Sequence, residues 1–238
     1  MDKCNHTFMD VKVLIKEAGN KVNLVKEFQK WGAFVIADDD NMYSPACMVA
    51  NDVVTGRIGN TADIVLNWPK HPLCSDKAEF YRFCRRHEFP VPATGQFKAI
   101  VKPRFGKGSR GTFVIDRSYI VQEFVDWPEY SIDYFADYEG NPLSIIPRKR
   151  LNVVDGESKA ASIDFDPFLI EQAFRMGTEL DIRGPACMQL FYNGTDILWI
   201  EVNPRYGGGT HFTWHIFSGP KWQIDYVRKV KGNQVQEV

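Results

Sequence analysis

The chain has 238 residues, 44% hydrophobic and 25% charged, enough to bury a core and to divide into more than one lobe. A formal net charge of −1 gives no electrostatic footprint for nucleic acid or an anionic membrane surface, so phosphate recognition must be built locally. No apolar run approaches the roughly 20 residues of a membrane span, and the polar start Met1-Asp2-Lys3-Cys4 does not read as a signal peptide. The five scattered cysteines form no C-x-x-C pair, and Cys4-x-His6 is isolated, so reduced thiols of a cytoplasmic protein are expected rather than a zinc site.

Residues 11–37 read β-α-β. Val11 to Ile15 alternates as a strand, Gly19-Asn20 marks a turn, and Val22, Val25 and Phe28 share a helix face. Ala33 to Ile36 is a second buried strand ending at Asp38-Asp39-Asp40. An acidic strand end can hold a ribose hydroxyl, but Ala18-Gly19-Asn20-Lys21 lacks the G-x-G-x-x-G spacing of a dinucleotide site. Beyond Asn51 the pattern weakens through Trp68-Pro69, which reads as a linker or the abbreviated end of a first lobe.

A helix is predicted from about Asp76 to His87, with Ser75 as its N-cap and Phe80, Phe83 and Cys84 as its apolar stripe. Phe89-Pro90-Val91-Pro92 breaks it. Strands are predicted at Ala99 to Lys102, Gly111 to Ile115, Ile120 to Val125, Ser131 to Ala136 and Leu143 to Ile146. Asp166 caps a helix with Pro167 at its first position, running to about Leu180 with Leu169, Ile170, Ala173 and Phe174 inward. Cys187 to Tyr192 and Asp196 to Val202 are joined by Asn193-Gly194, a hairpin signal.

Three stretches carry chemistry. In Leu198 to Gly209, strand alternation turns Glu201 and Asn203 the same way, and Arg205 follows them if the backbone stays extended. A carboxylate beside an amide oxygen is a hard-oxygen set suited to Mg²⁺, and a guanidinium beside them suits phosphate. Gly207-Gly208-Gly209 would let a ligand approach the backbone. An edge strand closing on a glycine turn fits the same residues. In Val101 to Gly111, a strand delivers Lys102 to a loop whose Gly106, Gly108, Ser109 and Gly111 can fold backbone N–H groups over phosphates. It is not a Walker-type loop, and a flexible basic hairpin is the alternative. In Tyr119 to Val125, a strand edge offering backbone N–H and C=O groups beside apolar residues can hydrogen-bond an adenine rim, and Glu129 can accept from ribose hydroxyls. An ordinary core strand with two exposed carboxylates fits as well.

In this order, the motifs from Ser75 to about Trp214 resemble the ATP-grasp superfamily, most closely its carbamoyl-phosphate-synthetase-like carboxylate–amine ligases. The helix at Asp76 to Phe80 followed by Phe89-Pro90-Val91-Pro92 looks like the start of that family's small lobe. Val101-Lys102-Pro103 with its glycines looks like the phosphate loop, and Gln122-Glu123-Phe124-Val125 with Glu129-Tyr130-Ser131-Ile132-Asp133 resembles the adenine and ribose segments. Gln189 with Glu201-Val202-Asn203-Pro204-Arg205 resembles the metal site and catalytic arginine.

The resemblance implies an α/β (α+β) ATP-grasp fold. A shortened β-α-β lobe would span residues 1–74, a small phosphate-loop lobe 75–125, and a large lobe with the metal site 126–238. It implies ATP and Mg²⁺, with Mn²⁺ as the other candidate ion, and an acyl phosphate made from a carboxylate and then attacked by an amine. Lys77 and Lys102 would hold phosphates, Glu123 with the backbone of Phe124 and Val125 adenine, Glu129 ribose, and Gln189, Glu201 and Asn203 the metal, while Arg205 would stabilise charge on the transferred phosphoryl group. Arg148 and Arg150, in Arg148-Lys149-Arg150, would grip the acceptor carboxylate, although a solvated basic strand end fits them equally.

The pattern departs from the family in its short first lobe, in Asp116-Arg117-Ser118 joining two strands directly, and in how little follows Trp214. The expected partners are therefore small-molecule carboxylate and amine substrates, with no nucleic acid or membrane, and a second subunit forming a homodimer could complete the acceptor pocket. A non-catalytic or regulatory ATP-binding module is the competing expectation.

Overall fold

The fold is known from a computed structural model, which describes residues 11–16, 22–38, 47–49, 64–65, 73–74, 76–95, 98–105, 111–116, 118–154 and 157–235. The N-terminal unit begins as the β-α-β that its periodicity predicts: β1 (Val11–Lys16), α1 (Val22–Lys30) and β2 (Ala33–Asp38), with β1 and β2 parallel and Val11 opposite Ala33. Two further parallel strands extend it, β3 (Cys47–Val49) and β4 (Ile64–Val65), giving the order β2-β1-β3-β4. Runs of three and two residues are too short for any periodicity to register, so the unit is larger than a single β-α-β. Helix α1 buries Leu24 and Phe28.

Next comes α2 (Lys77–Arg86). Its N-cap is Asp76 rather than the expected Ser75, which lies outside the described residues. The Asp76 carboxylate accepts from the Ala78 and Glu79 N–H groups at 2.8 and 3.1 Å, satisfying two donors that the first turn leaves open. Phe80, Tyr81, Phe83 and Cys84 are its buried residues.

Four short strands follow in two antiparallel pairs: β5 (Thr94–Gly95) with β8 (Val121–Gln122), and β6 (Ala99–Val101) with β7 (Phe113–Ile115). The strand expected from Ile120 to Val125 is therefore only two residues long. Phe124 lies beyond it and is 89% exposed.

The centre of the molecule is a five-stranded sheet, ordered β11-β10-β9-β12-β13. Its strands are β9 (Glu129–Ala136), β10 (Pro142–Val154), β11 (Glu157–Ile163), β12 (Gly184–Tyr192) and β13 (Ile197–Asn203). β10 runs well past the expected Leu143 to Ile146, and β11 carried no clear sequence signal. The predicted hairpin around Asn193-Gly194 joins β12 to β13, with Gly194 at φ 105°. Every residue of β9 from Tyr130 to Ala136 is buried, as a central strand covered on both faces requires.

One face of β9 (Tyr130, Ile132, Tyr134, Ala136) joins the main core with Trp199, Val202, Met188, Leu190 and α2. Helix α3 (Pro167–Glu179) packs there too, capped by Asp166, which accepts from the Phe168 N–H at 2.9 Å. Leu169 and Ala173 point inward as expected and Met176 joins them, whereas Phe174 is 46% exposed. The opposite face supplies Phe135 to a second core shared with Leu24, Phe28, Tyr206 and Ile224. Ile224 belongs to α4 (Gly219–Val235), a full helix where only a short C-terminal segment was expected. No helix among the described residues is long and apolar enough to cross a membrane.

Candidate active site

Strand pairing collects the chemistry on one face of the central sheet. In register, Arg148 lies opposite Ser131, Ser131 opposite Gln189, and Gln189 opposite Glu201. The neighbouring row runs from Asp133 through Cys187 to Asn203. Residues paired across strands share a face, so Gln189, Glu201 and Asn203 project together. The register shifts by one residue between Gln189/Leu190 and their partners Glu201/Trp199, leaving Ile200 as the extra residue. That shift lets Trp199 enter the core while Glu201, two positions on, faces the other way. The backbone N–H of Trp199 donates to the Pro90 carbonyl at 2.8 Å, fixing the strand just ahead of Glu201.

Glu201 is half-buried and fully engaged. Lys77 Nζ lies 2.8 Å from its Oε2, and Asn203 Nδ2 donates to its Oε1 at 2.7 Å. Burial alone would raise its carboxyl, but the hydrogen bonds from Lys77 and Asn203 and the charges of Lys77 and Arg205 outweigh it and hold the group below the usual carboxylate range. Arg205 does not continue the strand: its N–H donates to the Asn203 carbonyl at 2.8 Å, which turns the backbone, and its Nη1 donates to the Tyr206 carbonyl at 3.3 Å. The expected extended geometry is absent there because Pro204 ends the ladder, yet the guanidinium still acts electrostatically on Glu201.

Among the described residues, no group of three His, Cys, Asp or Glu side chains could hold a metal ion. One carboxylate and two amides on one face instead form a hard-oxygen set of low charge. Such a set fits Mg²⁺ held jointly with phosphate oxygens rather than caged by protein alone.

The nucleotide-side residues are only partly brought together. Lys102 is exposed just past β6, and Gly111, at φ 72°, lies close against the Pro103 ring. Gly106, Gly108 and Ser109 lie outside the described residues. Glu123 is tied to the residue that precedes β5: its N–H donates to the Ala93 carbonyl at 2.8 Å and its carboxylate accepts from the Ala93 N–H at 3.3 Å. Val125 is half-buried. Glu129 forms an ion pair with Arg150 across β9 and β10, so the expected ribose ligand and the expected carboxylate grip engage one another.

Arg148 sits in a buried network rather than at an open pocket. Its Nε and Nη2 donate to Asp133 at 2.9 and 3.3 Å, and the hydroxyls of Thr210 and Thr213 donate to the same carboxylate, each at 2.9 Å. Burial pulls the guanidinium down, and the Asp133 charge more than restores it. Asp133, Thr210 and Thr213 were missed from sequence, where a strand Asp and two Thr just past a glycine run carry no distinguishing pattern. This network anchors the turn Thr210–Phe212 to the sheet, and it explains the glycines before it. A Cβ on Gly209 would lie 2.6 Å from Arg148 Nη1, and one on Gly207 would lie 2.6 Å from Cys187 Sγ. Two of the three glycines are thus demanded by packing, and Gly208 alone is exposed.

Beside that turn lies a cavity of about 350 Å³, bounded by the first turn of α1, by Ser158 and Lys159 of β11, and by Gly207, Gly208, His211 and Trp214.

The fold these elements build is the ATP-grasp fold. Matching solved structures include D-alanine–D-alanine ligase from Bacillus anthracis (TM-score 0.59, 11% identity, covering 96% of this chain and 99% of that one). They also include N5-carboxyaminoimidazole ribonucleotide synthetase from Thermotoga maritima (TM-score 0.55, 18% identity, 92% and 75%) and biotin carboxylase from Campylobacter jejuni (TM-score 0.61, 13% identity, 91% and 70%). The chain itself belongs to the family described as ATP-grasp in the biosynthetic pathway with Ter operon, whose profile matches residues 116–238. That match spans Glu123, Glu129, Gln189, Glu201, Asn203 and Arg205, while Lys77 and Lys102 precede it. No curated protein sequence matches the chain significantly.

Proposed function

We propose that this protein is an ATP-dependent carboxylate–amine ligase that activates its carboxylate as an acyl phosphate and releases ADP and phosphate. The observation that carries the reading is the convergence of Gln189, Glu201 and Asn203 on one sheet face, with Lys77 at 2.8 Å and Arg205 acting on the same carboxylate. Membership in an ATP-grasp family supports it.

Gln189, Glu201 and Asn203 would hold Mg²⁺, which when bound supplies charge neutralisation to the phosphates. Lys77, already beside Glu201, would bring a cation to the terminal phosphates, and Lys102 a second from the β6 end. Arg205, on a turn rather than a strand, would face the charge that develops on the transferred group. Phosphoryl transfer needs mainly positioning and countercharge, which this constellation offers without a protein nucleophile. Glu123 and the backbone of Phe124 and Val125 would receive adenine. Glu129 would reach ribose only by sharing its carboxylate with Arg150.

The test is ADP release from Mg·ATP with paired panels of carboxylates and amines. ADP that forms only when both partners are present is the expected result, and Glu201→Ala should abolish it in a protein that remains folded. Nucleotide binding without turnover under every pairing would instead establish a regulatory module.

A further inference from the structure

The contact between Lys77 and Glu201 joins a nucleotide-side residue to a metal-side residue. Each oxygen of the Glu201 carboxylate is engaged by a donor: Oε2 lies 2.8 Å from Lys77 Nζ, and Oε1 accepts from Asn203 Nδ2 at 2.7 Å. A cation at the same carboxylate would need those oxygens for itself.

The two donors differ in freedom. Asn203 lies on β13, two residues beyond Glu201 in the same ladder. Lys77 is the first residue of α2 and its side chain is largely exposed. The helix behind it is anchored by buried Phe80, Phe83 and Cys84, and by Tyr81, whose hydroxyl accepts from Gln122 Nε2 at 2.7 Å. The ammonium can therefore swing on its own four-carbon stem while α2 stays in place.

Charge decides when it swings. Lys77 and Arg205 are cationic, Gln189 and Asn203 are neutral, and Glu201 is the one anion of these five. A divalent cation approaching them meets a net positive set. The several negative charges of a nucleoside triphosphate reverse that balance and offer the ammonium a stronger partner than one carboxylate.

We propose that Lys77 interlocks nucleotide and divalent cation: it neutralises Glu201 until phosphates draw its ammonium away, so the carboxylate becomes a ligand only with nucleotide present. The inference rests on the ligase reading above, which gives phosphates to Lys77 and the metal to Glu201. One ammonium serves two anions in turn, and no covalent bond is made or broken. Coupling between two ligands is reciprocal, so the interlock has a signature on each side, neither of which requires turnover.

On the metal side, Mn²⁺ is titrated without nucleotide and the unbound ion is followed by electron paramagnetic resonance. Lys77→Met should bind Mn²⁺ about tenfold more tightly than the unaltered protein, because a competing charge beside the carboxylate is gone. Lys77→Arg should restore the weak binding, and the Lys77→Met, Glu201→Gln double variant should lose the gain. On the nucleotide side, ATP is titrated calorimetrically in EDTA. Glu201→Gln should tighten metal-free ATP by about threefold or more when Lys77 is present, and by less in the Lys77→Met background. Mn²⁺ affinity that is unchanged or weaker in Lys77→Met overturns the interlock, as does an equal gain for ATP in both backgrounds. If those results accompany ADP release that needs both substrates, the ligase reading stands and the interlock alone falls. Variants that behave as expected, without ADP from any pairing, keep the interlock and remove the ligase reading.

Discussion

Glu201 is held by two opposed influences that titration can separate. Its carboxyl sits below its ordinary value of 4.5 because Lys77, Asn203 and Arg205 outweigh burial. The stabilisation this represents is present above pH 4.5 and is lost as pH falls through the lower folded-state value. Glu201→Gln should therefore flatten the acid arm of the stability–pH curve, with a loss near neutrality of about 1 kcal/mol or less, since Lys77 is largely exposed. Urea unfolding of both proteins between pH 3 and 7 checks this, and parallel acid arms would contradict it. The thiols give the opposite sign. Burial pushes Cys84 up to about 12, and Cys187 up to about 11 with help from the charge of Asp133, from an ordinary value of 9.0. Both should stay neutral and unlabelled by iodoacetamide at pH 8 until the chain unfolds. The stability they confer should be present below pH 9.0 and fade as pH rises through the folded values. Peptide mapping after labelling with and without denaturant would read this out.

At the scale of elements, packing overrides local preference in ways that substitutions expose. Gly177 lies inside α3, where alanine has the higher helix propensity by about 1 kcal/mol. A Cβ there would sit 2.4 Å from the Tyr134 ring. Overpacking of a core typically costs about 1–3 kcal/mol, so Gly177→Ala should lower the urea midpoint despite the better helix former. Gly209→Ala should do the same through Arg148. The elements themselves were legible to different degrees. The β1-α1-β2 unit, the Asp166-Pro167 cap and the Asn193-Gly194 hairpin have strong local signals, and each forms. β11 was not foreseen and α4 only as a short segment from Trp222 to Val230, because the alternation Glu157–Ile163 is weak and the α4 sequence shows only a faint apolar stripe; they exist because the sheet edge and the second core give them something to pack on. In the site, Glu201 and Asn203 could be paired from strand alternation, whereas Lys77 was placed by resemblance and found beside Glu201 only in the fold.

For the whole molecule, the Asp133–Arg148 pair links the central sheet to the turn that borders the cavity. Breaking a buried ion pair by removing one partner usually costs about 3–5 kcal/mol, because the other charge is left uncompensated. Arg148→Met should cost that much and should reduce turnover through the loosened 207–213 segment. The Asp133→Asn, Arg148→Met double variant should recover part of the stability, and a denaturant-based double-mutant cycle measures the coupling.

By itself, the sequence determined the local chemistry of this protein: which strands alternate, which residues cap helices, and which side chains are of types that suit phosphate and Mg²⁺. Those properties depend on neighbours a few residues apart. Only the tertiary structure decided that Ile200 is an extra residue, sending Trp199 into the core and Glu201 to the site. It likewise committed Arg148 to Asp133, and it closed a cavity between α1, β11 and the glycine turn. Register, burial and cavities arise from strands and helices distant in the chain, and no local pattern encodes where those will meet.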